Sequence, residues 1–452
     1  MPAPTPDSIV QQEPTRLAAP HIAFACPNAW VDRNACAPKT ADPGDGPAVT
    51  RVAGNAARPG EIVIAINTKN PSETSAAHTT QAKAVAFGIA YLRVSHDWGA
   101  TWQRVDMPFV PTPEPLPLVG REYSFVQEVA FSPSGEMFLA GTVTRAYEQP
   151  EDPVDGLGVD LFHPATYAFV ARSPDLGKTW TEARALEPAG SAYDGHIAFT
   201  PAGPIVYWPD QNQTLAYTDA QDSDGVIRRG RPCNWPGNAV VLGNTTFIAC
   251  YLGEYSLNVD VIRVDGSTQT VGQLQLQPGG SFVQVTYKLL GHGTRLVLVA
   301  DQDSLNVGQH PSYSLSDDMG KNWTAWRRLD SDCKACYEEP AAAWAQGAAL
   351  DGAGRLHVIL ENYALSNLLT PDAARLAPDL AFVHRTFDPN RGVALEEQRF
   401  LTANYAQYNL PLAGIVSGGG GFQALYLGQG RGVYAVNCWN MGYVQGIYSW
   451  SI

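Results

Sequence analysis

Ser173-Pro-Asp175-Leu-Gly177-Lys-Thr179-Trp180 is one of three copies of a single octapeptide. Ser95-His-Asp97-Trp-Gly99-Ala-Thr101-Trp102 precedes it, and Ser316-Asp-Asp318-Met-Gly320-Lys-Asn322-Trp323 follows. The shared form is S-x-D-x-G-x-[TN]-W. It has a mechanical reading. Ser and Asp oxygens accept from backbone N–H groups inside a tight turn. Gly takes a positive φ without strain, and Trp plugs the turn against a sheet. Alternating apolar stretches lead into the copies at Ala84–Val94, Thr166–Arg172 and Ser312–Leu315. A strand therefore enters each turn and another leaves it.

The rest of the chain agrees with a strand-and-turn fold. Gly and Pro make about 17% of the 452 residues, against an average of about 12%. Charged residues are 16%, too few to cover the faces of long helices. The chain is 45% hydrophobic, enough for a large core, which excludes disorder as the default. No run of 18 apolar residues is present, so membrane insertion is not expected. The net charge of −14 speaks against nucleic acid, which needs a basic footprint, and against anionic membranes.

The three octapeptides resemble the Asp box, or BNR repeat, of sialidase-like β-propellers. In that superfamily the box joins the third and fourth strands of a blade, on the face opposite the active site. The resemblance implies that these Asp residues shape turns and do no catalysis. It also implies a propeller, and the hairpins can be counted on that basis. Clear ones are Phe125–Phe131 with Glu136–Gly141, His196–Phe199 with Pro204–Trp208, Trp344–Leu350 with Arg355–Leu360, and Leu410–Val416 with Phe422–Leu427. Weaker ones are Arg51–Gly54 with Glu61–Ile66, Ala239–Val241 with Thr246–Cys250, and Phe282–Leu290 with Arg295–Ala300. The expectation is an all-β chain: a single β-propeller of four-stranded antiparallel blades over 50–452. Seven blades are favoured, and six follow if one weak hairpin is not a blade. Residues 1–49 read as an N-terminal extension that supplies a closing strand or covers one face. Near Val433–Val436 and Ile447–Ile452, the last strands close the ring with N-terminal chain.

Seven cysteines suggest the near pairs Cys26–Cys36, Cys233–Cys250 and Cys333–Cys336, with Cys438 a buried free thiol. Structural disulfides indicate an oxidising compartment. Cys333-Lys-Ala-Cys336 has CxxC spacing, read as a disulfide ahead of free thiols and of metal or redox chemistry. Met1–Asp7 carries neither a basic nor an apolar leader region. A secreted or periplasmic protein whose leader lies outside this sequence is favoured, with the cytoplasm as the alternative.

By analogy with propellers, loops between strands two and three and between blades open on the functional face. Those stretches carry acids, aromatics and histidines. Tyr193-Asp194-Gly-His196 and Glu338-Glu339 are the catalytic candidates. Arg121, Tyr123, Arg145, His163, Trp235, Glu254, Tyr255, Glu361, Tyr363, Tyr405 and Tyr408 are the candidates for holding substrate. Carboxylates with aromatic platforms suit a carbohydrate: paired carboxyls serve as acid and base on a glycosidic bond, and Arg clamps an acidic sugar. His with Tyr and Arg suits proton abstraction beside a uronate carboxylate. The expected function is thus a glycoside hydrolase acting on an acidic carbohydrate at a central cleft. A polysaccharide lyase is the first alternative and a non-catalytic glycan- or protein-binding propeller the second. No cofactor or metal site is expected, although an axial cation is compatible with propellers. His357 and His384 sit in strand patterns and read as structural; His292 lies in a turn on the other face. True sialidases carry an Arg-Ile-Pro motif, and Arg51-Val-Ala53 lacks its Pro, so their catalytic set is not carried over.

Overall fold

Seven four-stranded sheets account for the described strands. Ala48–Gly54, Ile62–Thr68, Ile89–Ser95 and Gln103–Asp106 form sheet one. Sheet two is Gly120–Phe131, Met137–Tyr147, Phe162–Ser173 and Glu182–Pro188. His196–Thr200, Gly203–Pro209, Thr214–Asp219 and Arg228–Pro232 make sheet three. Trp235–Leu242, Thr245–Gly253, Ser256–Ile262 and Thr268–Gln275 make sheet four. Sheet five is Tyr287–His292, Arg295–Ser304, Gly308–Ser316 and Arg327–Arg328. Ala348–Leu350, Leu356–Asn362, Asp379–Asp388 and Val393–Asn404 form sheet six. These six sheets follow the chain without a crossover. The seventh is composite. Gly421–Gly428, Arg431–Cys438 and Gln445–Ser451 run in order, and Thr15–Arg16 pairs with the last of them. The fourth strand of this sheet thus comes from the N-terminal region.

This computed structural model describes residues 15–16, 48–68, 89–98, 101, 103–111, 120–147, 162–189, 195–221, 225–253, 256–262, 268–275, 287–304, 308–331, 347–362, 379–404, 421–428, 431–438 and 445–451. Among them no helix is long and apolar enough to cross a membrane. One hairpin differs from the sequence reading. Phe422–Leu427 belongs to the first strand of sheet seven, and its partner is Arg431–Cys438. The tight Gly428–Arg431 connection makes that hairpin; Leu410–Val416 lies outside the described residues.

The chain divides into two units. One holds Asp45–Glu254 with Asn258–Thr270; the other holds Met1–Gly44, Tyr255–Leu257 and Val271–Ile452. Within the first, packing is blade on blade, and strand periodicity explains it. Side chains alternate between the faces of a strand. Met137 and Leu139 of sheet two join Val63, Ala65, Leu92 and Val94 of sheet one in one core. Their neighbours Phe138 and Ala140 join Val206, Trp208 and Ala216 of sheet three in the next. Tyr207, Leu215 and Tyr217 then face Ile248 and Cys250 of sheet four. Both faces of a blade are buried, so its middle strands read as unbroken apolar runs. First strands of successive sheets are neighbours: sheet one with two, two with three, three with four. The second unit repeats this. Val297, Tyr313 and Leu315 of sheet five pack on Leu356, Val358 and Phe387 of sheet six, and the first strands of sheets five, six and seven adjoin in turn. Stacked sheets whose first strands meet are propeller blades, and these first strands are the inner ones.

Each octapeptide joins a third strand to a fourth, as expected. Ser95, Ser173 and Ser316 donate from Oγ to the Asp two residues on, at 2.8, 2.9 and 2.8 Å. That Asp accepts from the backbone N–H of Thr101, Thr179 or Asn322 at 2.8, 2.7 and 2.9 Å. Gly177 and Gly320 have φ of +87°, as their glycine identity requires. The residue before each glycine is also left-handed: Trp98, Leu176 and Met319 have φ near +60°. The N–H bond from Thr179 leads in holding Asp175 below the usual carboxylate range. Likewise Asn322 N–H holds Asp318 at about 2. Carboxylates so committed to turn amides are poor acids and bases.

Candidate functional site

In the first unit, inner strands bring three ionisable side chains together. Arg51 comes from sheet one, Glu128 from sheet two and His196 from sheet three. Glu128 Oε2 lies 3.5 Å from Arg51 Nε and 3.4 Å from His196 Nδ1. The side chains are 13%, 17% and 3% exposed, so the pairing is largely desolvated. Local backbone explains the aim. The ladder slips by one residue between Val49 and Arg51, and again between Val126 and Glu128. A bulge re-aims the side chain that follows it, and Arg51 and Glu128 are those side chains. His196 opens its strand. Gly195 before it packs on the backbone of Gly141, where an added Cβ would lie 2.6 Å from a carbonyl oxygen. Only glycine lets the third sheet start so close to the second.

The imidazole of His196 stacks on Tyr207, with centroids 5.3 Å apart and an angle of 19°. Tyr207 is buried, and its hydroxyl donates to the Gly237 carbonyl at 2.7 Å. Gly237 lies where the inner strand of sheet four is itself irregular, between Pro236 and Ala239. An ionised Glu128 only accepts, so Nδ1 of His196 carries the hydrogen that faces it. In the neutral ring Nε2 then bears the lone pair. Nε2 is buried and has no hydrogen-bond partner among the described residues. Two residues before Gly237 sits Trp235, 50% exposed and stacked on Tyr251 at 5.4 Å and 20°. The Cys233–Cys250 disulfide adjoins this pair, as the cysteine spacing suggested.

A second histidine cluster lies in the other unit. His357 Nε2 is 3.1 Å from Asp351 Oδ2, and its Nδ1 is 2.9 Å from His384 Nε2. Burial first, and His357 second, holds His384 down to about 3; burial also lowers His357 against the pull of Asp351. Asp351 is raised by burial but more than offset by the Arg355 N–H and side chain and by His357, and rests at about 2. It accepts from the amides of Ala353 and Arg355, making it the anchor of the Asp351–Gly354 turn. His357 and His384 are therefore packing elements, in keeping with their strand positions. His292 ends its strand with Nε2 3.2 Å from the Gly352 carbonyl.

Of the candidate residues, His196 and Trp235 fall at the inner-strand cluster or beside it. Arg121, Tyr123, Arg145, His163 and Glu361, expected in loops, lie in strands instead. Arg121 and Tyr123 pair with Ala146 and Thr144, Arg145 pairs with Ala165, and Glu361 pairs with Phe382. His163 lies within Phe162–Ser173. Backbone pairing continues past the point where apolar alternation stops, so composition alone ended these strands too early. Tyr193, Asp194, Glu254, Tyr255, Glu338, Glu339, Tyr363, Tyr405 and Tyr408 lie outside the described residues. Cys26, Cys36, Cys333 and Cys336 do too. Arg51 and Glu128 were missed as site residues. The signal at Arg51 was a charge in the middle of a largely apolar inner strand; Glu128 shares its strand with Arg121 and Glu122 and carried no such signal.

No protein-family model matches the chain, and no curated protein does. Among solved structures, a Hadza microbial sialidase is similar over 90% of this chain and 66% of its own, at 10% identity and a TM-score of 0.42. The β-propeller domain of the Trilobed protease from Pyrococcus furiosus is similar over 90% and 95%, at 8% identity and 0.42. A GH74 xyloglucanase from Xanthomonas campestris is similar over 86% and 51%, at 11% identity and 0.42. The chain thus spans about half the length of that last enzyme. Likeness this distant carries no statement about activity.

Proposed function

We propose that the chain is a carbohydrate-active propeller that acts on an acidic sugar polymer by proton transfer at His196, the chemistry of a polysaccharide lyase. One observation carries this: His196 is oriented through Nδ1 by Glu128 beside Arg51, and its Nε2 has no hydrogen-bond partner among the described residues. A base held by a carboxylate in the right tautomer is the recurring form of an imidazole catalyst. Arg51 adds the positive charge that a uronate carboxylate seeks. In the step, Nε2 removes the proton next to that carboxylate. The C–H electron pair becomes a ring double bond, and the bond from the ring to the glycosidic oxygen breaks. The leaving oxygen takes its proton back from the imidazolium, so one histidine balances the reaction. Hydrolysis, the first expectation, needs two carboxyls about 5–10 Å apart. At this cluster Glu128 is already shared between Arg51 and His196, and Asp194, Glu338 and Glu339 are not described.

A specific observation also favours the binding reading. Nε2 is enclosed, while Trp235 is open to solvent. In that reading Arg51, Glu128 and His196 pin three inner strands, and glycan is held without turnover. One experiment separates the cases: a screen of acidic and neutral polysaccharides, reading reducing ends and unsaturated-uronate absorbance separately. Absorbance that disappears in His196→Gln supports elimination. Reducing ends without absorbance return the assignment to hydrolysis. Silence in both channels assigns binding. The disulfide supports an oxidising, secreted or periplasmic setting.

A further inference from the structure

We infer that Trp235 and Tyr251 form a platform on which one pyranose ring of an oligosaccharide stacks, a subsite next to the His196 centre; this rests on the glycan reading above. Trp235 is an aromatic with half its surface in water, where most large aromatics are covered. It stays there because its surroundings are fixed. Trp235 and Tyr251 are direct cross-strand partners. Asn234 before it donates its N–H to the Tyr251 carbonyl at 3.1 Å and its Nδ2 to the Leu252 carbonyl at 2.9 Å. Cys233 is bonded to Cys250 and donates its N–H to the Gln213 carbonyl at 2.7 Å. Gly253 closes the facing strand with φ of +92°, a conformation other residues adopt only under strain. A ring so held loses little freedom when a ligand arrives, which is the condition for tight stacking.

Position ties the platform to the centre. Tyr207, which carries His196 on its ring, is hydrogen-bonded to Gly237, two residues after Trp235, so imidazole and platform sit on neighbouring inner strands. A ligand long enough to reach from one to the other gains both contacts, and a shorter one gains only one of them. The C–H face of a pyranose meets the indole, and hydroxyls at the ring edge remain in water. Specificity for length, rather than for charge, is the role assigned to Trp235.

The test titrates ladders of oligogalacturonate, oligoalginate and chondroitin, from disaccharide to octasaccharide, into wild type and into His196→Gln, following tryptophan emission and calorimetric binding. Affinity is expected to rise with length in at least one ladder. Trp235→Ala should lose about three- to ten-fold for the longer members and little for the disaccharide. Trp235→Phe should recover most of it. Thermal melts confirm that each variant is folded. Equal affinity of Trp235→Ala and wild type across a ladder that binds overturns the platform and leaves the His196 reading standing. Length-dependent loss in Trp235→Ala without turnover by wild type keeps the platform and removes the elimination chemistry. Binding of no ladder overturns both.

Discussion

His196 and His357 are both buried imidazoles facing a carboxylate, Glu128 at 3.4 Å and Asp351 at 3.1 Å. They differ at the second nitrogen. Nδ1 of His357 meets His384 at 2.9 Å, whereas Nε2 of His196 meets no partner among the described residues. Their carboxylates differ as well. Asp351 is bound by two backbone amides of its own turn, and Glu128 bridges side chains from two other sheets. An unsatisfied buried nitrogen costs about 1–3 kcal/mol. A fold loses nothing by closing such a group, as it did at His357. Under the proposed function, leaving this one unsatisfied on an inner strand, behind two bulges, is what a catalytic role would explain.

The largest expected effect tests that difference directly. His196→Gln should cut turnover on an acidic polysaccharide about 10²- to 10⁴-fold, the usual contribution of a positioned base. The denaturant midpoint should fall only modestly, because the Gln amide can still donate to Glu128 in place of Nδ1, although the stack on Tyr207 is lost. Intact turnover with a collapsed midpoint would reverse the roles of the two histidines.

His357→Ala should do the opposite. It removes the His357 contact of His384 Nε2 and a buried ring, while Asp351 keeps Arg355 and its turn amides, and should cost about 2–4 kcal/mol in urea unfolding. Acid should find the same network. The folded pKa of His384 is lowered to about 3, while the unfolded chain titrates near 6.5. The unfolded state then binds more protons between those values. Stability should be full above pH 6.5 and fall as pH drops toward 3, with a slope reduced in His384→Gln. A flat profile through that window would show the histidine pair to be hydrated.

The disulfide should rank next. Cys233 and Cys250 are 17 residues apart, and a loop of that order contributes about 2–3 kcal/mol by restricting the unfolded chain. Dithiothreitol should lower the melting temperature and shift Trp235 emission to the red, with the acid profile of the histidine pair unchanged.

The strand-and-turn architecture was legible because three of the sheets carry a local signature. A turn with Asp, Gly and Trp at fixed offsets requires two strands around it, and apolar runs such as Ile62–Ala65 have nowhere to go but between two sheets. The Cys233–Cys250 pair was legible from spacing. The site was legible in fragments. His196 and Trp235 drew notice as polar or aromatic residues at strand starts. Arg51 and Glu128 did not, because their convergence depends on bulges that shift register by one residue, and no residue type at Thr50 or Gln127 signals a bulge. Ladder ends were misjudged for a related reason: Arg121 and Arg145 are held by backbone pairing, to which side-chain pattern is blind.

Asp260 lies between the two histidine cases and gives the smallest effect. It is fully buried in the third strand of sheet four. One oxygen accepts from Thr270 Oγ1 at 2.6 Å, and Oδ2 has no partner among the described residues. Burial raises its pKa, opposed by Thr270 and by the charge of Arg231. The sign follows from linkage. The folded state holds this proton more tightly than the unfolded chain, so the stabilisation is full below the unfolded value near 3.8 and is lost as pH rises through the folded one. Above the unfolded value, burial of this acid opposes folding. Asn in its place keeps the acceptor for Thr270 and the donor of the protonated acid, and removes the ionisation. Asp260→Asn should therefore raise stability by about 1 kcal/mol at pH 7 and by nothing near pH 3.5. Melting curves of both proteins across that range measure the gap. A gap that is constant with pH would mean that Oδ2 is satisfied by bound water, and that an open acceptor in this fold does not by itself mark a site.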